Sequence, residues 1–193
     1  MIKKLNIVVL LIIGLLLENL HAQSDKILLK GDCDINNITF LTSFLNDRSK
    51  IEISSQISLN DIDEFNNHAI IILCSDAYLK LSEIQIINLQ QNILNGSLLI
   101  IDNFNSDYTF SIFLKKILPE YSPSQYSLSE IMKDNPYKIN FQNIDLNTRQ
   151  IFVREKLRIL AIQNKSLLNE INIENIDYTK LMSAIIFNYL IGN

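Results

Sequence analysis

The sequence predicts an α/β fold: a three-layer sandwich with helices on both faces of a mostly parallel central sheet, a late β-hairpin and a C-terminal helix. Three observations carry that expectation. Short apolar runs alternate with segments of helical periodicity, the pattern of successive βαβ units. Two of the runs, residues 69–74 and 98–101, are apolar throughout, as strands covered on both faces are. Proline and glycine number only 3 and 4 in 193 residues, and no polar linker or internal repeat divides the chain.

In order along the chain, Ile27, Leu28 and Leu29 form a first strand that ends at Gly31-Asp32. Asp34 or Asn36 caps the helix after it, in which Ile38, Phe40, Leu41, Phe44 and Leu45 recur every three to four residues. Residues 51–53 make a weaker second strand and residues 69–74 a third. The clearest helix follows. Ser82 is its N-cap, Glu83 and Gln85 lie in its first turn, Ile86, Leu89, Ile93 and Leu94 form its apolar positions, and Asn95-Gly96 stops it. Residues 98–102 are a fourth strand and 107–118 a helix ended by Pro119. Between 121 and 141, Pro123 and Pro136 exclude long regular elements. Residues 150–153 and 157–161 flank Arg154-Glu155-Lys156 and read as a hairpin or as strand, turn, strand. A final helix over 175–190 sets Tyr178, Leu181, Met182, Ile185, Ile186 and Tyr189 on one side, a stripe suited to core packing rather than to a cofactor.

The first residues resemble an export leader. Met1-Ile2-Lys3-Lys4 is cationic, and residues 5–17 are apolar except for Asn6 and Gly14. That run is about 13 residues, short of the roughly 20 that span a bilayer, so a cleaved signal peptide over 1–22 is expected rather than a permanent anchor. Cleavage after Ala22 leaves one domain, residues 23–193, in the periplasm or outside the cell. The net charge of −4 becomes more negative once Lys3, Lys4 and Glu18 are removed. A mildly acidic chain without a basic patch has no electrostatic means of holding nucleic acid or an anionic membrane surface.

Several segments in the same order resemble the family called domain of unknown function 4159. They are Gly31-Asp32 followed by a helix ending Phe44-Leu45-Asn46; Leu81-Ser82-Glu83; residues 94–102, LNGSLLIID; and residues 113–119, FLKKILP. Residues 158–162, RILAI, and 185–190, IIFNYL, complete the series. The resemblance implies a fold akin to the class I glutamine amidotransferases and to flavodoxin, and it implies no mechanism. The chain departs from the family's pattern at Gly31-Asp32-Cys33, Cys74-Ser75-Asp76, Asp102-Asn103 and Asn135-Pro136. By resemblance, an amidotransferase nucleophile would sit in the turn after the fourth strand, which here reads Asp102-Asn103-Phe104, without a thiol. Strands one and three are neighbours in the flavodoxin-like order, about 4.8 Å apart, and Cys33 and Cys74 both lie at their carboxyl ends. A disulfide between them is one reading; two buried, unpaired cysteines are the other.

The candidate site is therefore a ligand-binding crevice at the carboxyl ends of the strands, with Asp32, Asp76, Asp102 and Asn103 on its rim. The same acids, with Asp34 and Asp107, are also ordinary helix caps and turn residues, and their spacing matches no cation-binding loop. No catalytic residue, metal or cofactor is assigned. His68, the only histidine after the leader, lies before the third strand and Cys74 at its far end, so the two are about 20 Å apart and cannot act as a pair. The first turn has one glycine where a dinucleotide fingerprint needs three. Two functions are consistent with this: a non-catalytic exported module that binds an unknown protein or small ligand, and, as the alternative, a degenerate amidotransferase-like hydrolase using the acidic edge around Asp32 and Asp102.

Overall fold

A computed structural model describes residues 26–44, 52–55, 65, 68–124, 126–132, 138–172 and 174–191. The expected leader, Ile51 of the second strand, Leu45 of the first helix and Pro136 lie outside the described residues.

The described residues form one sheet in the order β2-β1-β3-β4-β6-β5. Strand β1 (Lys26–Lys30) pairs in parallel with β2 (Glu52–Ser55) on one side and with β3 (Ile70–Cys74) on the other. Strand β4 (Leu98–Phe104) is parallel to β3 and to β6 (Lys156–Gln163), and β5 (Asn147–Val153) runs antiparallel to β6 at the edge. This is the flavodoxin-like order with β6 in the fifth place and one reversed strand added.

Alternate residues of the central strands point to opposite faces, and both faces are covered. On one, Ile27, Leu29, Ile70, Ile72, Ile100 and Leu160 pack with the helices α1 (Ile35–Phe44), α5 (Leu167–Glu170) and α6 (Ile176–Ile191). On the other, Leu28, Ile71, Leu73, Leu99, Ile101 and Ile159 meet a 3-10 turn (Ser75–Lys80), α2 (Glu83–Asn95) and α3 (Asp107–Ile117). The stripe expected on the last helix is core, with Tyr178, Leu181, Met182, Ile185 and Ile186 buried and Tyr189 packed beside them. Among the described residues, no helix is long and apolar enough to cross a membrane.

Local chemistry sets the element ends. Of the two candidates for capping α1, Asp34 does it: its Oδ1 accepts from the N–H groups of Asn36 and Asn37 at 2.9 and 3.2 Å. Ser82 and Gln85 form a reciprocal capping box at the start of α2. Gly96, at φ 127°, closes that helix, where a side chain would be strained. The stretch after α3 is mostly irregular, as Pro123 requires, but it holds a single helical turn, α4 (Leu128–Ile131), capped by Ser127 and Glu130. It also holds a bridge from Ser124 to Gln150 that shields the edge of β5. Strands β5 and β6 form the hairpin, joined by Arg154 and Glu155, both at positive φ (52° and 65°). This turn type matches the right-handed twist of the strands.

Candidate functional site at the carboxyl edge of the sheet

The carboxyl ends of β1 and β3 are joined covalently. Cys33, two residues beyond Gly31, forms a disulfide with Cys74, the last residue of β3, with a Cα–Cα distance of 5.3 Å. Cys74 is 3% exposed whereas Cys33 is half-buried. The backbone around the bond is close-packed. Gly31 adopts φ +96°, and a Cβ built there would fall 2.6 Å from the carbonyl oxygen of Cys74 and 2.8 Å from Cβ of Ala77. Only glycine lets the β1 loop come this close to β3. Directly after the bond, Ser75 has φ 53°, a left-handed conformation that a serine rarely takes.

The four acidic and amide residues expected on the rim are not equivalent. Asp32 and Asp76 are exposed on the two loops that the disulfide ties together. Asn103 is half-buried at φ 68°, a backbone state asparagine tolerates better than most residues. It occupies the register shift between β4 and β6, after which Phe104 turns into the core and accepts a hydrogen bond from the N–H of Asn164 at 2.9 Å. Asp102 departs from the expectation: it is 1% exposed and does not face an open crevice. Ser166 Oγ donates to its Oδ2 at 2.5 Å, and the N–H groups of Leu167 and Leu168 donate to its two oxygens at 2.6 and 3.3 Å. The physical reason lies in the sheet order. Because β6 is parallel to β4 and adjacent to it, the chain leaving β6 folds back over the end of β4 and brings the unsatisfied N–H groups of α5 onto the carboxylate. Burial pushes the Asp102 pKa up and is the dominant influence; the bonds from Ser166, Leu167 and Leu168 pull it down and do not offset that.

Two further polar groups at this edge were not singled out in the sequence. Arg149 on β5 donates to Asn147 Oδ1 at 2.7 Å, to Gln163 Oε1 at 3.3 Å and to Asp107 Oδ2 at 3.2 Å, so Asp107 serves an ion pair rather than a cation site. Lys165 Nζ donates to the Tyr178 hydroxyl at 3.0 Å and lies 3.6 Å from Glu170. The Tyr178 hydrogen bond is the first cause of the raised pKa of Lys165, which keeps that amine protonated and unsuited to act as a nucleophile. The pattern of alternation along β5 marks Arg149 as an unusual half-buried cation, but its partners come from three separate stretches and no local signal joins them.

His68 precedes β3, at the opposite edge, where its carbonyl oxygen accepts from Ser97 Oγ at 2.7 Å. Among the described residues, no three carboxylate, imidazole or thiolate groups converge as metal ligands do. The chain matches no protein-family model and no curated protein.

Proposed function

We propose that the chain is an exported module that acts by binding another protein rather than by catalysis, and that it is a divergent relative of the domain of unknown function 4159 family. The observation that carries this reading is how the carboxyl edge uses its chemistry. Its two thiols are bonded to each other, its buried carboxylate caps α5, Asp34 caps α1, and Asp107 pairs with Arg149. A nucleophile and a base held together, which acyl transfer or hydrolysis requires, are not what these bonds build. Export is supported by the leader-like pattern of residues 1–22 and by the disulfide, a bond that persists in oxidising compartments. A protein partner is favoured over a small ligand because Ile84, Ile87 and Leu94, on the outer side of α2, and Tyr108 and Ile112 of α3 are exposed on the layer those helices share. Ile84, Ile87 and Leu94 recur on one side of α2, and Tyr108 and Ile112 on one side of α3, so each helix offers an apolar stripe that a protein surface could cover.

The test uses the full oxidised chain as bait in an extract of the cells that make it, beside the triple variant Ile84→Lys, Ile87→Lys, Leu94→Lys. A protein retained by the first, lost by the second and shown by titration of the purified pair to bind stoichiometrically supports the reading. Turnover of an ester or amide substrate that Asp32→Ala abolishes without unfolding would replace it with the hydrolase.

A further inference from the structure

We propose that the Cys33–Cys74 bond is a thiol-controlled latch on the crevice between β1 and β3. In open α/β sheets, ligands enter outside the carboxyl ends of the strands where the chain's direction of winding reverses, and in the order β2-β1-β3-β4-β6-β5 that point lies between β1 and β3. The two loops that would form its walls are the ones this disulfide joins, and it holds them so close that Gly31 has no space for a Cβ.

Two further observations distinguish a latch from a passive cross-link. The two residues differ in exposure: Cys33 is half-buried at the edge of the core, while Cys74 is buried within it, so Cys33 is the side from which a thiolate would approach. The residue next to the buried cysteine, Ser75, is held at φ 53°, so the β3 end has a more relaxed backbone state available once the bond is gone. The reductant is a dithiol. Its thiolate attacks Cys33 Sγ, the Cys33–Cys74 bond breaks, and Cys74 leaves as a thiolate that takes a proton. The second thiol of the reductant, as thiolate, then displaces Cys33, which leaves and is protonated in turn. The reductant ends as a disulfide, and the two cysteines have gained two electrons and two protons. The loops then separate and the crevice opens. This inference is independent of what the protein binds and of whether it catalyses anything.

Hydrogen exchange by mass spectrometry on the full chain, with and without dithiothreitol, tests it. The expected result is that exchange in residues 30–34 and 73–77 rises at least tenfold more than in β4 and β6, and that glutathione disulfide reverses the change. A double variant, Cys33→Ser with Cys74→Ser, should show the reduced pattern without reductant; if it does not fold, the wild-type comparison still decides. Because reduction also lowers the stability of the whole fold, the excess over β4 and β6 decides: an equal rise across all strands would make the bond a staple of the fold and nothing more, and overturn the proposal. So would no change at the two segments, or a change that re-oxidation does not reverse.

Discussion

Asp102 couples two segments through a carboxylate that has little water around it. Replacing it with alanine leaves a hydroxyl and two backbone N–H groups without their acceptor, and the expected loss is about 3 kcal/mol in urea unfolding. The pH dependence has a definite sign. Its folded pKa lies above the ordinary 3.8, so the stability it contributes is fully present below that value and is lost as pH rises through the raised pKa. The wild type should therefore gain stability relative to Asp102→Asn as pH is lowered from neutral toward 3.8, and denaturant midpoints of the two proteins across that range check it. Sequence reasoning located Asp102 at the end of its strand, but its donors are 64 to 66 residues further on, and no local pattern reports a contact of that separation.

At the level of elements, the turn between β5 and β6 is unusual in using Arg154 and Glu155 where both backbones are left-handed. Asparagine and glycine fit such positions without strain, so Arg154→Asn with Glu155→Gly should stabilise the protein by about 1 kcal/mol in a thermal melt. Helix α2 shows how burial divides one surface. Leu89 is fully buried and Ile87 is 51% exposed. Leu89→Ala should cost about 3 kcal/mol, whereas Ile87→Gln should change stability by no more than about 0.5 kcal/mol in the same assay. The elements legible in the sequence, β1, β3, β4, α1, α2, α3, α6 and the β5–β6 hairpin, are those whose periodicity, caps or turn are local. The one-turn helices α4 and α5 were not legible, because a single turn has too few residues to show a period and is held by caps and tertiary bonds. Strand β6 extends to Gln163, beyond the expected end at Ala161, because buried Ile162 continues the apolar run and the ladder with Asn147 and Phe104 reaches Gln163.

For the molecule as a whole, the disulfide closes a loop spanning a sequence separation of 41, which restricts the unfolded chain. Reduction should lower the unfolding free energy by about 4 kcal/mol, a shift measurable as a lower urea midpoint, with a steeper slope because the unfolded chain expands once the loop is opened. The α/β class and the parallel sheet followed from alternating run types. Which strand lies beside β4 could not be read, since β5 and β6 are both apolar enough to fill that place and the choice depends on pairing at a distance. The same limit applied to the candidate site: its members were found at the correct edge, and the Cys33–Cys74 pairing rested on the β1–β3 adjacency, while the engagement of Asp102 with α5 and of Asp107 with β5 depended on that unread order.

The position of β6 also bears on how the chain is made. Strand β4 is complete at Phe104, but its neighbour starts only at Lys156, after α3, α4 and β5. A ribosome therefore releases an apolar strand whose hydrogen-bonding edge stays unfilled until about the last fifth of the chain emerges, and such an edge recruits other nascent chains. A fragment covering residues 1–155 should sediment as aggregate under conditions where the full chain stays in the supernatant. The protein would then need a holdase during synthesis, a requirement imposed by the order in which its strands are born.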